Sequence, residues 1–114
     1  MNTQQQGEVY IRRVDSLPAG VKLSPVKAEG GSLIVSHSES GHHHVLDRRH
    51  VDLMERADPA EGLRMLYAVV KEHTALRQTA AVPHEAADLE PGIYEMRLSR
   101  EFNPFEEEIR RVAD

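Results

Sequence analysis

The sequence has no cysteine and no tryptophan, and only two Phe and three Tyr among its 114 residues. Without cysteine there are no disulfides, no thiolate nucleophile and no Cys-based zinc site. Any metal has to be held by His and carboxylates. With so few aromatics, the core has to be built mostly from Val, Leu, Ile, Ala and Met. No apolar run approaches the roughly 20 residues of a membrane span. Met1 to Gly7 lacks the basic and apolar regions of a secretory signal, so a cytoplasmic protein is expected. Basic excess is missing too. A formal net charge of -5 argues against a nucleic-acid partner, which needs a positive surface. The pair Arg48-Arg49 reads as a solvated turn. There is no phosphate-binding Gly-rich motif and no H-E-x-x-H helix, and no organic cofactor is predicted.

What is present suits one soluble domain, with 39% hydrophobic and 29% charged residues. Residues 1–7 read as a flexible lead-in, 8–102 as a β domain and 103–114 as a C-terminal helix. Val9 and Ile11 alternate with Tyr10 and Arg12, which predicts a strand. Leu17-Pro18-Ala19-Gly20 supplies a turn. Pro25 makes 21–26 an edge strand or an extended segment. Gly30-Gly31 turns the chain into the apolar run Leu33-Ile34-Val35. Val51, Leu53 and Glu55 then alternate against Asp52, Met54 and Arg56. Leu63 to Val70 reads as a central strand, with a helix over 59–71 as the alternative. Residues 72–89 show little periodicity. Tyr94, Met96 and Leu98 alternate with Ile93, Glu95 and Arg97 in another strand. Asn103-Pro104 then offers an N-cap and a first-turn proline. Glu106 to Glu108 and Arg110-Arg111 suit the two ends of the helix dipole. Six or seven short strands with Gly/Pro turns predict a mainly β sandwich or barrel carrying a short terminal helix.

Seven histidines stand at 37, 42, 43, 44, 50, 73 and 84. On a strand, His42 and His44 share one face and His43 points to the other. Such an H-x-H pair can give two imidazoles to one cation. His84 with Glu85 is the first remote candidate to complete the site, followed by His50 or His73. The ligand types suit Zn, Fe, Ni, Mn or Cu. An open position on the metal would make bound water more acidic. Two other readings stay open: a solvated loop after Gly41, and a pH-sensing cluster. Ser36-His37-Ser38-Glu39 holds nucleophile-type residues, but sequence neighbours on a strand do not face each other. Glu85, Glu95 and Glu101 are possible acids or bases that more often serve as surface residues.

Three segments, 33–44 (LIVSHSESGHHH), 84–94 (HEAADLEPGIY) and 97–102 (RLSREF) with the helix after it, resemble a set of small, uncharacterised, cupin-like proteins often encoded near phage or plasmid genes. The shared pattern is G-H-x-H, then H-E-x-H, P-G-x-Y, R-E-[YF] and a terminal E-x-I-R-x-V-A-D helix. The resemblance implies a jelly-roll-like barrel and brings no established activity. It matches His42 and His44 to the first His pair and His84 to the last His of the second segment. Ala81 stands where that segment has its earlier His. Two functions follow as expectations. The first is a cupin-like metal-binding module using His42, His44, His84 and Glu85, with a divalent ion such as Zn, Fe, Mn or Ni. The second is a non-catalytic phage or mobile-element protein, a virion component or an inhibitor of a host factor. It would bind a partner or a second copy through Phe105, Ile109 and Val112. The same three residues can instead pack on the domain's own core.

Overall fold

Alternating apolar and polar residues set most of the strands. The computed structural model describes residues 3–6, 9–36, 43–59, 63–78 and 86–99. Among these, all regular structure is strand: β1 (Thr3–Gln6), β2 (Val9–Val14), β3 (Leu23–Pro25), β4 (Ser32–Ser36), β5 (His44–Asp47), β6 (Val51–Arg56), β7 (Leu63–Val70), β8 (Thr74–Gln78), β9 (Ala87–Leu89) and β10 (Gly92–Ser99). The helix expected over 103–114, with Phe105, Ile109 and Val112, lies outside the described residues. Among the described residues no helix is long and apolar enough to cross a membrane.

The strands form a six-stranded sheet, ordered β1-β2-β10-β7-β6-β3, and a four-stranded sheet, ordered β4-β5-β8-β9. The pairings are antiparallel. From β3 onward the chain changes sheet two strands at a time. The β4–β5 pair lies in the small sheet while β3 and β6 pair in the large one. The same step recurs, with β5 and β8 paired around β6–β7, and β7 and β10 paired around β8–β9. The result is the expected mainly β, two-sheet architecture.

The core fills the space between the sheets. Val9, Ile11, Leu53, Leu66, Ala68 and Met96 come from the large sheet. Leu33, Val35, Leu46, Leu76 and Leu89 face them from the small one. Leu66 is fully buried in the middle of β7, and such burial is worth about 1.5–3 kcal/mol. β7 pairs with β6 on one side and β10 on the other, so Leu63–Val70 is a strand and not a helix. Met65, Leu66, Tyr67 and Ala68 are all buried. That burial of both faces erases the period-2 signal.

Among the described residues ten strands replace the expected six or seven. β8 and β9 come from the stretch that shows little periodicity. β1 forms within the expected lead-in, antiparallel to β2. Its polar sequence pairs through the backbone, which no hydrophobic pattern reveals. The Gln4 side chain also donates to the Asp88 carbonyl at 3.0 Å, tying the large-sheet edge to β9. β3 is an edge strand, as Pro25 requires.

The sandwich has two ends. Turns at 30–31, 48–50, 71–73 and 90–91 gather at one, the turn end, and 15–22 crosses from it to the far end, where the Lys22 carbonyl accepts from the Ala57 amide at 3.0 Å. Gly30 and Gly31 have φ of 59° and 83°. Glu29 and Ser32 exchange backbone hydrogen bonds around them at 2.8 and 3.1 Å, as in a tight hairpin turn that needs positive φ at both central positions. The opposite, polar end carries Ser36, His44, Glu55, Arg64 and Gln78.

Candidate functional site

His44 opens β5 and alternates in phase with Leu46, so its side chain faces the core. It is 1% exposed. Its neighbours across the small sheet are Ser36 on β4 and Gln78 on β8. Directly opposed residues share a face. A hydroxyl, an imidazole and a carboxamide therefore form one inward row at the polar end. His43 is half-buried just before the strand. His42, His84 and Glu85 lie outside the described residues. In the chain, His42 is two positions before His44, and His84 is six after Gln78.

The other remote candidates are not in this row. His50 and His73 sit at the turn end. His50 Nε2 faces Glu72 at 3.6 Å, and its Nδ1 is buried with no hydrogen-bond partner among the described residues. His73 faces Asp88 at 3.5 Å and Glu90 at 3.9 Å in an exposed cluster. Among the described residues no group of three His, Asp or Glu side chains is arranged to hold a metal ion.

The large sheet supplies the rest of the polar end. Val51, Leu53 and Glu55 share the inward face of β6, and Arg64 opposes Leu98 on the inward face of β7. Arg64 donates to both oxygens of Glu55, from Nη2 at 2.8 Å and Nε at 3.1 Å. Its Nη1 donates across the sandwich to the Val35 carbonyl at 2.8 Å. This fork-shaped geometry is one that arginine provides and lysine does not. It delivers a charge-neutral link between the sheets next to Ser36.

The β4–β5 ladder explains why Val35 is available. Ser32, Leu33 and Ile34 oppose Asp47, Leu46 and Val45, but the register then shifts and Ser36 opposes His44. Val35 is the extra residue of a β-bulge. Without the bulge Val35 would stand opposite His44 and Ser36 would turn outward. With it, Val35 stays in the core at 0% exposure and Ser36 is buried at 7% beside the imidazole.

Glu95 occupies a different place. It is 6% exposed, yet it projects from β10 on the face turned away from the core. Arg97 Nε donates to it at 2.9 Å, Arg12 Nη2 contacts both its oxygens at 3.3 Å, and the Tyr67 hydroxyl donates at 3.3 Å. Burial, helped by the Glu95 charge, raises the Tyr67 pKa above its usual value and keeps the phenol a donor. The cluster satisfies a buried carboxylate and stands on the opposite face from the His44 row. Glu95 is therefore not an acid or base for that row. Glu101 lies outside the described residues.

Arg64, Glu55, Ser36 and Gln78 are thus the site residues that the histidine motif does not point to. One signal was available: Glu55 falls in phase with Val51 and Leu53, an acid on an apolar face that demands a partner. The partner, and the bulge it holds, depend on a contact between sheets that local pattern does not encode.

No curated protein and no solved structure matches the chain. One family model does, over residues 5–99, and that span takes in all of β2–β10. By that match the chain belongs to the family described as a domain of unknown function, DUF8820.

Proposed function

We propose that the protein is a small cupin-like metal-binding module whose site lies at the polar end of the sandwich. His44 is one imidazole ligand, His42 and His84 supply two more, and Glu85 is a fourth ligand or holds one of the histidines in place. The observation that carries this reading is the inward, almost fully buried position of His44 in a row with Ser36 and Gln78. Support also comes from the resemblance of the H-x-H and H-E segments to cupin-like proteins and from the two-sheet β architecture. Fold likeness alone does not carry a function, so the ligand set is what must be tested.

A borderline cation such as Zn, or Fe, Mn or Ni, fits a donor set of imidazoles with one carboxylate. When bound, such a ion acidifies water or polarises an oxygen ligand. The residues of the chain would hold the ion and keep bulk solvent from one side of it. Metal analysis of protein purified without a nickel column tests the reading. A stoichiometric divalent metal in the native protein, lost in the His42→Ala/His44→Ala double variant, is the expected result. Metal-free protein that takes up none of these ions on titration would overturn it.

A further inference from the structure

Arg64 is a charged side chain that crosses from the large sheet to the bulged strand. The ladder leaves Val35 without a cross-strand partner, because Ile34 pairs with Val45 and Ser36 with His44. The Val35 carbonyl is the group Arg64 Nη1 takes at 2.8 Å. Glu55 aims that nitrogen by holding the other side of the guanidinium at 2.8 and 3.1 Å. An arginine held by two fixed acceptors has little freedom to move. A bulge, by contrast, is a local choice of register, and a one-residue slip exchanges the faces of the residues that follow.

We propose that Arg64 is the positioning residue of the His44 site. By capturing the Val35 carbonyl it fixes the β4 bulge, and the bulge turns Ser36 inward beside His44. Ser36 then lies beside whatever His44 binds, as a hydroxyl partner of the imidazole or of its ligand. The metal role of that ligand rests on the function proposed above, whereas the positioning does not need it.

The two ideas separate in one experiment on the full chain labelled with 15N. Arg64→Met is compared with wild type by the His44 ring signals, the Val35 and Ser36 amide signals and their hydrogen exchange, before and during zinc titration. The expected result is a folded variant with intact core methyl signals, shifted His44 and Ser36 signals and faster exchange at residues 35–36. Its zinc affinity falls by about tenfold or more, the size typical for loss of a group that orients a ligand. Arg64→Lys, which can reach only one of the two acceptors at a time, gives an intermediate shift. It also carries the test if Arg64→Met does not fold. Unchanged His44 and Ser36 signals in the folded variant overturn the proposal. Shifted signals in a protein that binds no zinc sustain the positioning role and overturn the metal reading alone.

Discussion

The two ends of the sandwich solve the same problem in opposite ways. At the turn end, charges pair within a single turn or between neighbouring strands of one sheet. Asp47 accepts from the Arg49 amide at 2.9 Å and from its guanidinium at 2.7 to 3.2 Å, only two residues away. Lys71 meets Asp52 at 3.5 Å, with both side chains at least half exposed. At the polar end, Arg64 joins β6, β7 and β4, and its side chain is 26% exposed. The first kind of contact shapes a turn. The second decides how one sheet is registered against another, and it does so next to a buried histidine. Similar charged groups therefore carry different weight according to what they connect.

Substitutions at the two ends should break this contrast, or sharpen it, in a definite order. Arg64→Met should have the largest effect. It removes the guanidinium bonds to the Glu55 carboxylate and the Val35 carbonyl, and losing hydrogen bonds of a charged group costs about 1.5–3 kcal/mol. Urea unfolding measures this, and a loss no greater than that of Arg49→Ala would erase the distinction. Gly31→Ala comes next. At φ of 83° a Cβ is strained by about 1–2 kcal/mol, although nothing crowds it. Its midpoint should fall while the His44 ring signals stay in place, which separates turn damage from site damage. Asp47→Asn should be smallest at neutral pH.

Asp47 also gives the turn end a pH signature. The Arg49 side-chain hydrogen bond, with its backbone amide, holds the Asp47 carboxyl well below the usual carboxylate range. A depressed carboxyl pKa contributes stability that is present above the unfolded value, about 4. That contribution is lost as pH falls. Stability measured between pH 6 and pH 3 should therefore decline less steeply in Asp47→Asn than in wild type. Equal slopes would show that the exposed pair contributes nothing.

The alternating strands were legible where one face is wet. β2, β6 and β10 follow their sequence pattern because core and solvent demand opposite chemistry at successive positions. β7 is ambiguous because its central residues, Met65 to Ala68, are buried on both faces. β8 and β9 were hidden by their shortness and by small inward residues such as Thr74 and Ala87, which raise little hydrophobic contrast. The histidine motif led to His44, and His44 does face inward. It gave no hint of Arg64, since a guanidinium inside an apolar run shows a need for partners and not their identity. Glu95 misled in the same way. Its phase with Ile93 and Arg97 is the outer face, but the large neighbours Arg12, Arg97 and Tyr67 bury it there.

The pairing of β2 with β10 has a consequence for how the chain reaches this state. Each strand from β3 to β9 finds its partners within a few dozen residues, whereas β2 must wait for a partner about eighty residues downstream, with only β1 beside it until then. Closing such a loop costs entropy that no earlier contact repays, and pairings of that span dominate the time a β protein needs to fold. On the ribosome, Val9 and Ile11 stay uncovered until Met96 and Leu98 have been made. The last of the described strands is thus the one that pairs with the first apolar one, and until it is made the β2 edge is left open on that side.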